Sequence, residues 1–463
     1  MKKTVLFFGL VTLLVSVQVI FTVTGCSDDK SVKSSDSLMV SPITNQYAIA
    51  PLDITQQSQA LADSFSWRTF IAMNWPANTS TCGPDTAGGN ILNGTGPVVW
   101  ETYLSADQVF VPSSQQPKPW CQAGSGNENA KANIDMKRLP QKVQDLARKT
   151  GVFRFIHRTS KSPHGLNQAS GQPLVDQNGR FVRYEIRMNQ DEYNYIMADS
   201  LWNAQGQQKY AQAHAINFPA GPSTYGPIGA MEFKAAWKIL GPGDDPSKFY
   251  KIQAIVFNDD SLDLSPGPNP VTLGLVGLHI GHKTATQRFW VWSTFEQVNN
   301  LTSSFHNDTS TAAPNTPPSG GPNYKELAPN GTPLHRSTQV TRVNPVNTVD
   351  PFIDKINGYY QGLLSGSVWS NYALVSTQWL LNEDIFPVFL ANTVQETYLQ
   401  GPNPPTYGNF KIKDGEQYFQ SPEYHPFAPG ISSSCMGCHY KATVNSTTGT
   451  VRSDMSFMLG EAQ

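Results

Sequence analysis

Apolar positions recur with two different periods along this chain. From Thr55 to Trp75 they return mostly at helical spacing, at Leu61, Phe65, Trp67, Ile71 and Trp75, and Pro76 follows. That spacing predicts a helix ending at the proline. A second helix is expected over 138–151, with Pro140 near its start and Gly151 past its end. A third opens at Asn189, where Glu192 completes a capping arrangement, and runs through Trp202. Asp350-Pro351 opens a fourth, through Leu364, and a last helix is expected near Asn392 to Leu399.

Elsewhere the period shortens to two. Asn178-Gly179 separates Leu174-Val175 from a run in which Val182, Tyr184 and Ile186 alternate with charged residues, a hairpin signal. Met231, Phe233, Ala235, Trp237 and Ile239 form one alternating strand, and Tyr250, Ile252, Ala254 and Val256 a second, with a Gly-Pro-Gly turn between them. Residues 272–280 and 288–295 are apolar on both faces and read as central strands. Pro97 to Tyr103 and Val368 to Leu381 complete the expected strands. The pattern predicts an α+β fold, with a mostly antiparallel sheet core and peripheral helices, in a body spanning 55–400. Residues 300–349 are rich in Thr, Asn and Pro and show no period. They predict a long loop, either an ordered excursion over the surface or a lid. No internal repeat is present.

Composition narrows the function classes. A net charge of −2 supplies no phosphate-neutralising excess, which excludes nucleic-acid binding by bulk basicity. Ten Trp, 17 Tyr and 23 Phe are ample for a packed core. At the start, Lys2 and Lys3 precede a mostly apolar stretch that ends in Val23-Thr24-Gly25-Cys26. Small residues before a cysteine at this place resemble the lipobox of bacterial lipoproteins. The resemblance implies a signal peptide over 1–25, lipidation of Cys26 and a flexible tether over 26–54. The competing reading is an uncleaved transmembrane anchor. Both put the rest of the chain outside the cytoplasm, at a bacterial membrane, facing the periplasm or the cell exterior.

The five cysteines sort by neighbourhood. Cys26 belongs to the leader. Cys82 and Cys121 are expected to pair in an oxidising compartment, closing a loop worth about 2–4 kcal/mol. Cys435 and Cys438 stand three apart and His439 follows, within Ser-Cys-Met-Gly-Cys-His-Tyr. Cys-x-x-Cys-His is the attachment signature of haem c. On a helical turn both thiols share a face and can bond one porphyrin, and the histidine can ligate its iron. A dithiol–disulfide pair and a zinc site are the alternatives, although zinc has no further soft ligands nearby. One covalent haem is expected.

The second axial ligand stays open in the sequence. Met455 is the first candidate, then Met458, then His279, His282 or His425, or no ligand at all. His279 and His282 are three apart on a predicted strand and should face opposite sides. Lys441 and Arg452 are candidate propionate partners. Glu101, Glu232 and Glu296 read as structural carboxylates. Only 24 residues follow His439, so the haem segment, 401–463, must pack on the upstream body. That is unlike a small all-α cytochrome c fold.

These motifs, with Trp67 to Pro76, Trp100-Glu101-Thr102 and Leu278-His279-Ile280, resemble exported bacterial c-type cytochromes of unassigned function. The resemblance covers most of the chain beyond the leader. It implies haem binding through Cys435, Cys438 and His439, and electron transfer with an unidentified redox partner protein. A peroxidase or oxygenase with an open distal site, and a surface binding module with a structural haem, are the other readings.

Overall fold

The computed structural model describes residues 42–54, 58–121, 132–156, 172–257, 264, 268–305, 313–318, 325–343, 350–380, 385–386, 390–399, 410–413, 416–419, 435–440, 442–444, 446–447 and 449–463. The leader, Cys26 and the chain up to residue 41 lie outside them. So does the stretch just before the Cys-x-x-Cys-His motif. The chain divides into Met1–Val40 and Ser41–Gln463, and all that follows concerns the second unit. Among the described residues, no helix is long and apolar enough to cross a membrane.

The fold is α+β, built on one large antiparallel sheet. Its strands are β1 (Leu104–Ser105), β2 (Phe155–Ile156), β3 (Arg183–Met188), β4 (Met231–Ile239), β5 (Lys251–Val256), β6 (Val271–His282), β7 (Val291–Gln297) and β8 (Tyr372–Gln378). The order is β8-β7-β6-β4-β3-β1. The two apolar runs, β6 and β7, are central, because both of their faces are covered. β5 pairs with the first half of β6 on the flank where β7 pairs with the second half. β2 lies parallel to β5. β4 and β5 are therefore not a hairpin: β6 is inserted between them, pairing with Ile239 on one side and Ile252 on the other at Leu273.

Helix α1 (Gln59–Met73) carries the predicted period and ends before Pro76. It packs on β8 beside α6 (Ile353–Leu363). Phe70 stacks on Phe295 of β7 at 4.1 Å, and Trp67 stacks on Tyr360 of α6. The opposite sheet face, with Tyr184, Ala236 and Val276, is covered by Leu174, Phe305, Val340 and Val394. Among the described residues the remaining α-helices are α2 (Ala106–Val109), α3 (Gln141–Thr150), α4 (Gln190–Ala198), α5 (Ala204–Ala211) and α7 (Cys435–His439).

Several expectations change, each through a local side-chain bond. Pro97 to Tyr103 is not a strand. The Glu101 carboxylate accepts the Val98 amide and the Thr102 hydroxyl donates to the Val99 carbonyl, closing a 3-10 turn over Val99–Thr102. Such side-chain bonds compete with the sheet ladder for the backbone. The helix expected through Trp202 stops at Ala198, and Asn203 caps a new one by accepting the Gly206 amide. Near Asn392 the chain makes turns and a short 3-10 segment, Thr397–Leu399, because Glu396 folds back onto the Asn392 amide. The expected tether to residue 54 is already packed from Ile43 onward, with Ala48, Ala50 and Ile54 buried.

The loop after β7 is anchored. Glu326 is fully buried, bonded to Arg183 at 2.6 Å, to Arg180 at 2.9 Å and to the Phe181 amide at 2.7 Å. Removing one partner of a buried ion pair strands the other charge. Glu326→Gln is therefore expected to cost about 3 kcal/mol of stability, read as a lowered urea midpoint. An unchanged midpoint would mean that the loop contributes no hold on β3.

Candidate functional site

Cys435 to His439 form a single helical turn, α7, so Cys435 and Cys438 lie on one face. The sheet places this turn. In the β7–β8 ladder Trp292 and Gln378 are register partners. The Gln378 side chain accepts the Met436 amide at 2.8 Å, holding the start of α7. Trp292 lies against the His439 ring at 4.0 Å, holding its end. Phe457 meets the imidazole edge-on from another side at 5.0 Å.

The chain then doubles back. Thr443 bridges to Arg452, and the amides of Ser453 and Val444 bond the carbonyls of Ala442 and Val451. This hairpin ends in a tight turn, Ser453 to Ser456, closed by the Ser456 amide on the Ser453 carbonyl. Its two central residues, Asp454 (φ 50°) and Met455 (φ 71°), are both left-handed. For a bulky residue such as Met that conformation costs on the order of 1–2 kcal/mol. The turn is held by Asp454, whose carboxylate bonds Lys283 Nζ through both oxygens at 2.8 Å and accepts the Phe218 amide at 2.9 Å. Burial pushes the Asp454 carboxyl up, and Lys283 opposes that shift.

The strained turn aims one atom. The Met455 carbonyl lies 2.7 Å from His439 Nδ1. A carbonyl can only accept, so Nδ1 carries the proton and Nε2 of the neutral ring carries the lone pair. A backbone acceptor on one imidazole nitrogen is the usual support for a histidine that ligates metal through the other.

The residues present fit a haem c. Neither Cys435 nor Cys438 is disulfide-bonded, and both are partly exposed. The buried indole N–H of Trp292, beside His439, has no acceptor among the described residues, and a propionate is an acceptor of the kind it lacks. Among the described residues no three His, Cys, Asp or Glu side chains gather as a metal cluster.

The structure distributes the other candidates differently. Met455 grips the Nδ1 side of the imidazole, away from Nε2, and its buried side chain packs with Met436, Met458, Leu459 and Trp292. The carbonyl of Met455 thus supports the imidazole, and the side chains of Met455 and Met458 are buried in that cluster. His279 Nε2 bonds Glu396 at 2.9 Å, whereas His282, on the opposite face of β6, bonds the Ile228 carbonyl and stacks on Phe65. His425 and Lys441 lie outside the described residues. Arg452 stacks on Tyr440 at 5.2 Å. Cys82 and Cys121 are bonded to each other. Glu101 pairs with Arg154, and Glu296 with Arg342 and the Thr393 amide. Glu232 lies beside buried Glu192, whose carboxyl is pushed up by burial and then by that neighbour.

Trp292, Gln378, Lys283 and the Met455 carbonyl were not singled out by sequence. A backbone acceptor has no residue signature, Gln378 and Trp292 meet through strand register, and Lys283 acts through an ion pair with a residue 171 positions away. Compared with known proteins, the chain matches no family model, no curated protein and no solved structure.

His282 makes acid stability testable. Burial pushes its pKa down to about 4, against the pull of the Ile228 carbonyl. Between pH 4 and about 6.5 the unfolded ring binds a proton that the folded ring refuses, so stability falls as pH drops through this window. His282→Gln should flatten that limb by up to about 3 kcal/mol in urea titrations at pH 4.5 and 7. An equal pH slope in both proteins would remove His282 as the cause.

Proposed function

We propose that this chain is a single-haem c-type protein that carries electrons outside the cytoplasm, held to a bacterial membrane through a lipidated Cys26. The observation that carries the reading is the bond from His439 Nδ1 to the Met455 carbonyl, next to two thiols on one helical turn. In this reading Cys435 and Cys438 form the thioethers and His439 ligates through Nε2. When bound, the haem supplies a one-electron couple at its iron. Trp292 and Phe457 fix the plane of the imidazole, and Asp454 with Lys283 holds the turn that supports it. The buried cluster of Met436, Met455, Met458 and Leu459 would lower the polarity around His439 and so tune the potential of a haem held there. The leader motif Val23-Thr24-Gly25-Cys26 supports export and anchoring.

Expression in a host that attaches haem c should yield one haem per chain by pyridine haemochrome, and Cys435→Ser with Cys438→Ser should abolish it. A chain without a Soret band would sink this reading and leave a dithiol pair to explain. A spectrum shifted by carbon monoxide would replace the carrier with an open-site oxidoreductase.

Met455→Leu separates the two roles of Met455. It keeps the carbonyl and removes the thioether. The reduced α-band and the iron potential should stay close to those of the parent. Loss of a sulfur-to-iron charge-transfer band in this variant would restore Met455 as the distal ligand.

A further inference from the structure

A file of aromatic rings leads away from His439. Trp292 lies 4.0 Å from the imidazole, Trp290 stacks on Trp292 at 6.0 Å, and Phe218 meets Trp290 edge-on at 5.7 Å. Tyr195 follows at 5.0 Å, and Tyr225 at 5.3 Å beyond it. The Tyr195 hydroxyl also lies 3.3 Å from that of Tyr210. The first four rings are buried, whereas Tyr210 and Tyr225 are partly exposed. The file therefore joins the His439 imidazole to the surface without a gap wider than 6.0 Å between ring centres.

Other aromatic groups in the molecule are different. Trp67, Phe70, Phe295 and Tyr360 pack between α1, α6 and the sheet, as a core should. The Trp67, Trp75, Trp100 and Trp379 indoles donate a hydrogen bond, but that of Trp237 in the same core has no acceptor among the described residues, as at Trp292, so what sets the file apart is its course from His439 to solvent. Packing alone explains the first group. It leaves unexplained why the second runs from a candidate iron ligand to solvent.

Resting on the haem reading above, we propose that these rings are the electron path between the iron and the surface at Tyr225 and Tyr210. Tunnelling weakens steeply with the gap between π systems, and rings in contact keep every gap short. One electron leaves the ferrous iron and reduces a one-electron acceptor at the surface. The rings end unchanged, so no bond forms or breaks and no proton moves.

The test places the acceptor. Thr224→Cys, exposed beside Tyr225, is labelled with a ruthenium polypyridyl complex in the haem-loaded protein. Oxidation of ferrous haem is then followed after a flash that generates Ru(III). The absorbance spectrum of each sample is recorded first, so that loss of the haem reading is seen separately from failure of the path. Trp290→Leu should slow oxidation several-fold with the haem spectrum unaltered, and Trp290→Phe, which keeps a ring, should largely restore the rate. If Trp290→Leu does not fold, Phe218→Leu interrupts the file one ring further from His439 and should slow oxidation likewise. An unaltered rate in the leucine variant that folds, with haem bound, would overturn the path and leave these rings as packing.

Discussion

The arrangement of this molecule turns on one hydrogen bond, from the His439 imidazole to the carbonyl of a residue 16 positions later. A five-residue helix cannot orient its own last side chain, because so short a helix has little stability of its own. Orientation must come from outside. The carbonyl comes from a turn with two consecutive left-handed residues, neither of them glycine. The turn persists because Lys283, just past the end of β6, and the Phe218 amide both hold Asp454. β6 in turn lies at the centre of the sheet, paired along both edges. A strand paired along both edges and a turn of two left-handed residues are thus linked through the Lys283–Asp454 ion pair.

The same logic explains why the C-terminal segment is not a separable module. Its helix begins on Gln378 of β8 and rests on Trp292 of β7. Its end is tied to α5: the Ala204 amide bonds the Gln463 carbonyl and the Gln207 side chain bonds the Leu459 carbonyl. The apolar residues of the segment, Met436, Val444, Met455, Met458 and Leu459, share a core with Leu104, Ile196, Leu201 and Trp290 of the body. A fragment of this length alone would bury too little apolar surface to offset its conformational entropy.

Much of this was legible in the sequence, though unevenly. α1, β4, β6 and β7 have periods long enough for pattern to decide, and they form where expected. The left-handed Gly151 ends α3 as its position implied. Short segments escaped. Trp100 to Tyr103 has strong strand formers, but one carboxylate three residues from an amide overrides them. The neighbour order of β4, β5 and β6 was hidden, because alternation says which face a residue takes and not which strand it meets. The cysteines and histidine of the motif were visible because their spacing follows from helix geometry. Their supports were not, since Gln378 and Trp292 become neighbours only through strand register.

Size is the last constraint. On the haem reading proposed above, attachment alone would need far fewer residues than this chain contains, so the sheet would serve more than attachment. Its contribution is geometric. Register sets Trp292 beside Gln378, and the chain entering β7 places Trp290 behind Trp292. α4 brings Tyr195 against Phe218, at the foot of the same file. The contacts of Trp292 with Gln378 and of Tyr195 with Phe218 join residues distant in sequence, and a small helical wrap offers few such crossings. The central strands thus bring together the supports of the His439 ring, an anchored turn and a ring file opening at the surface. In this arrangement the body is the means by which the segment after Cys435 acquires surroundings that it could not build from its own residues.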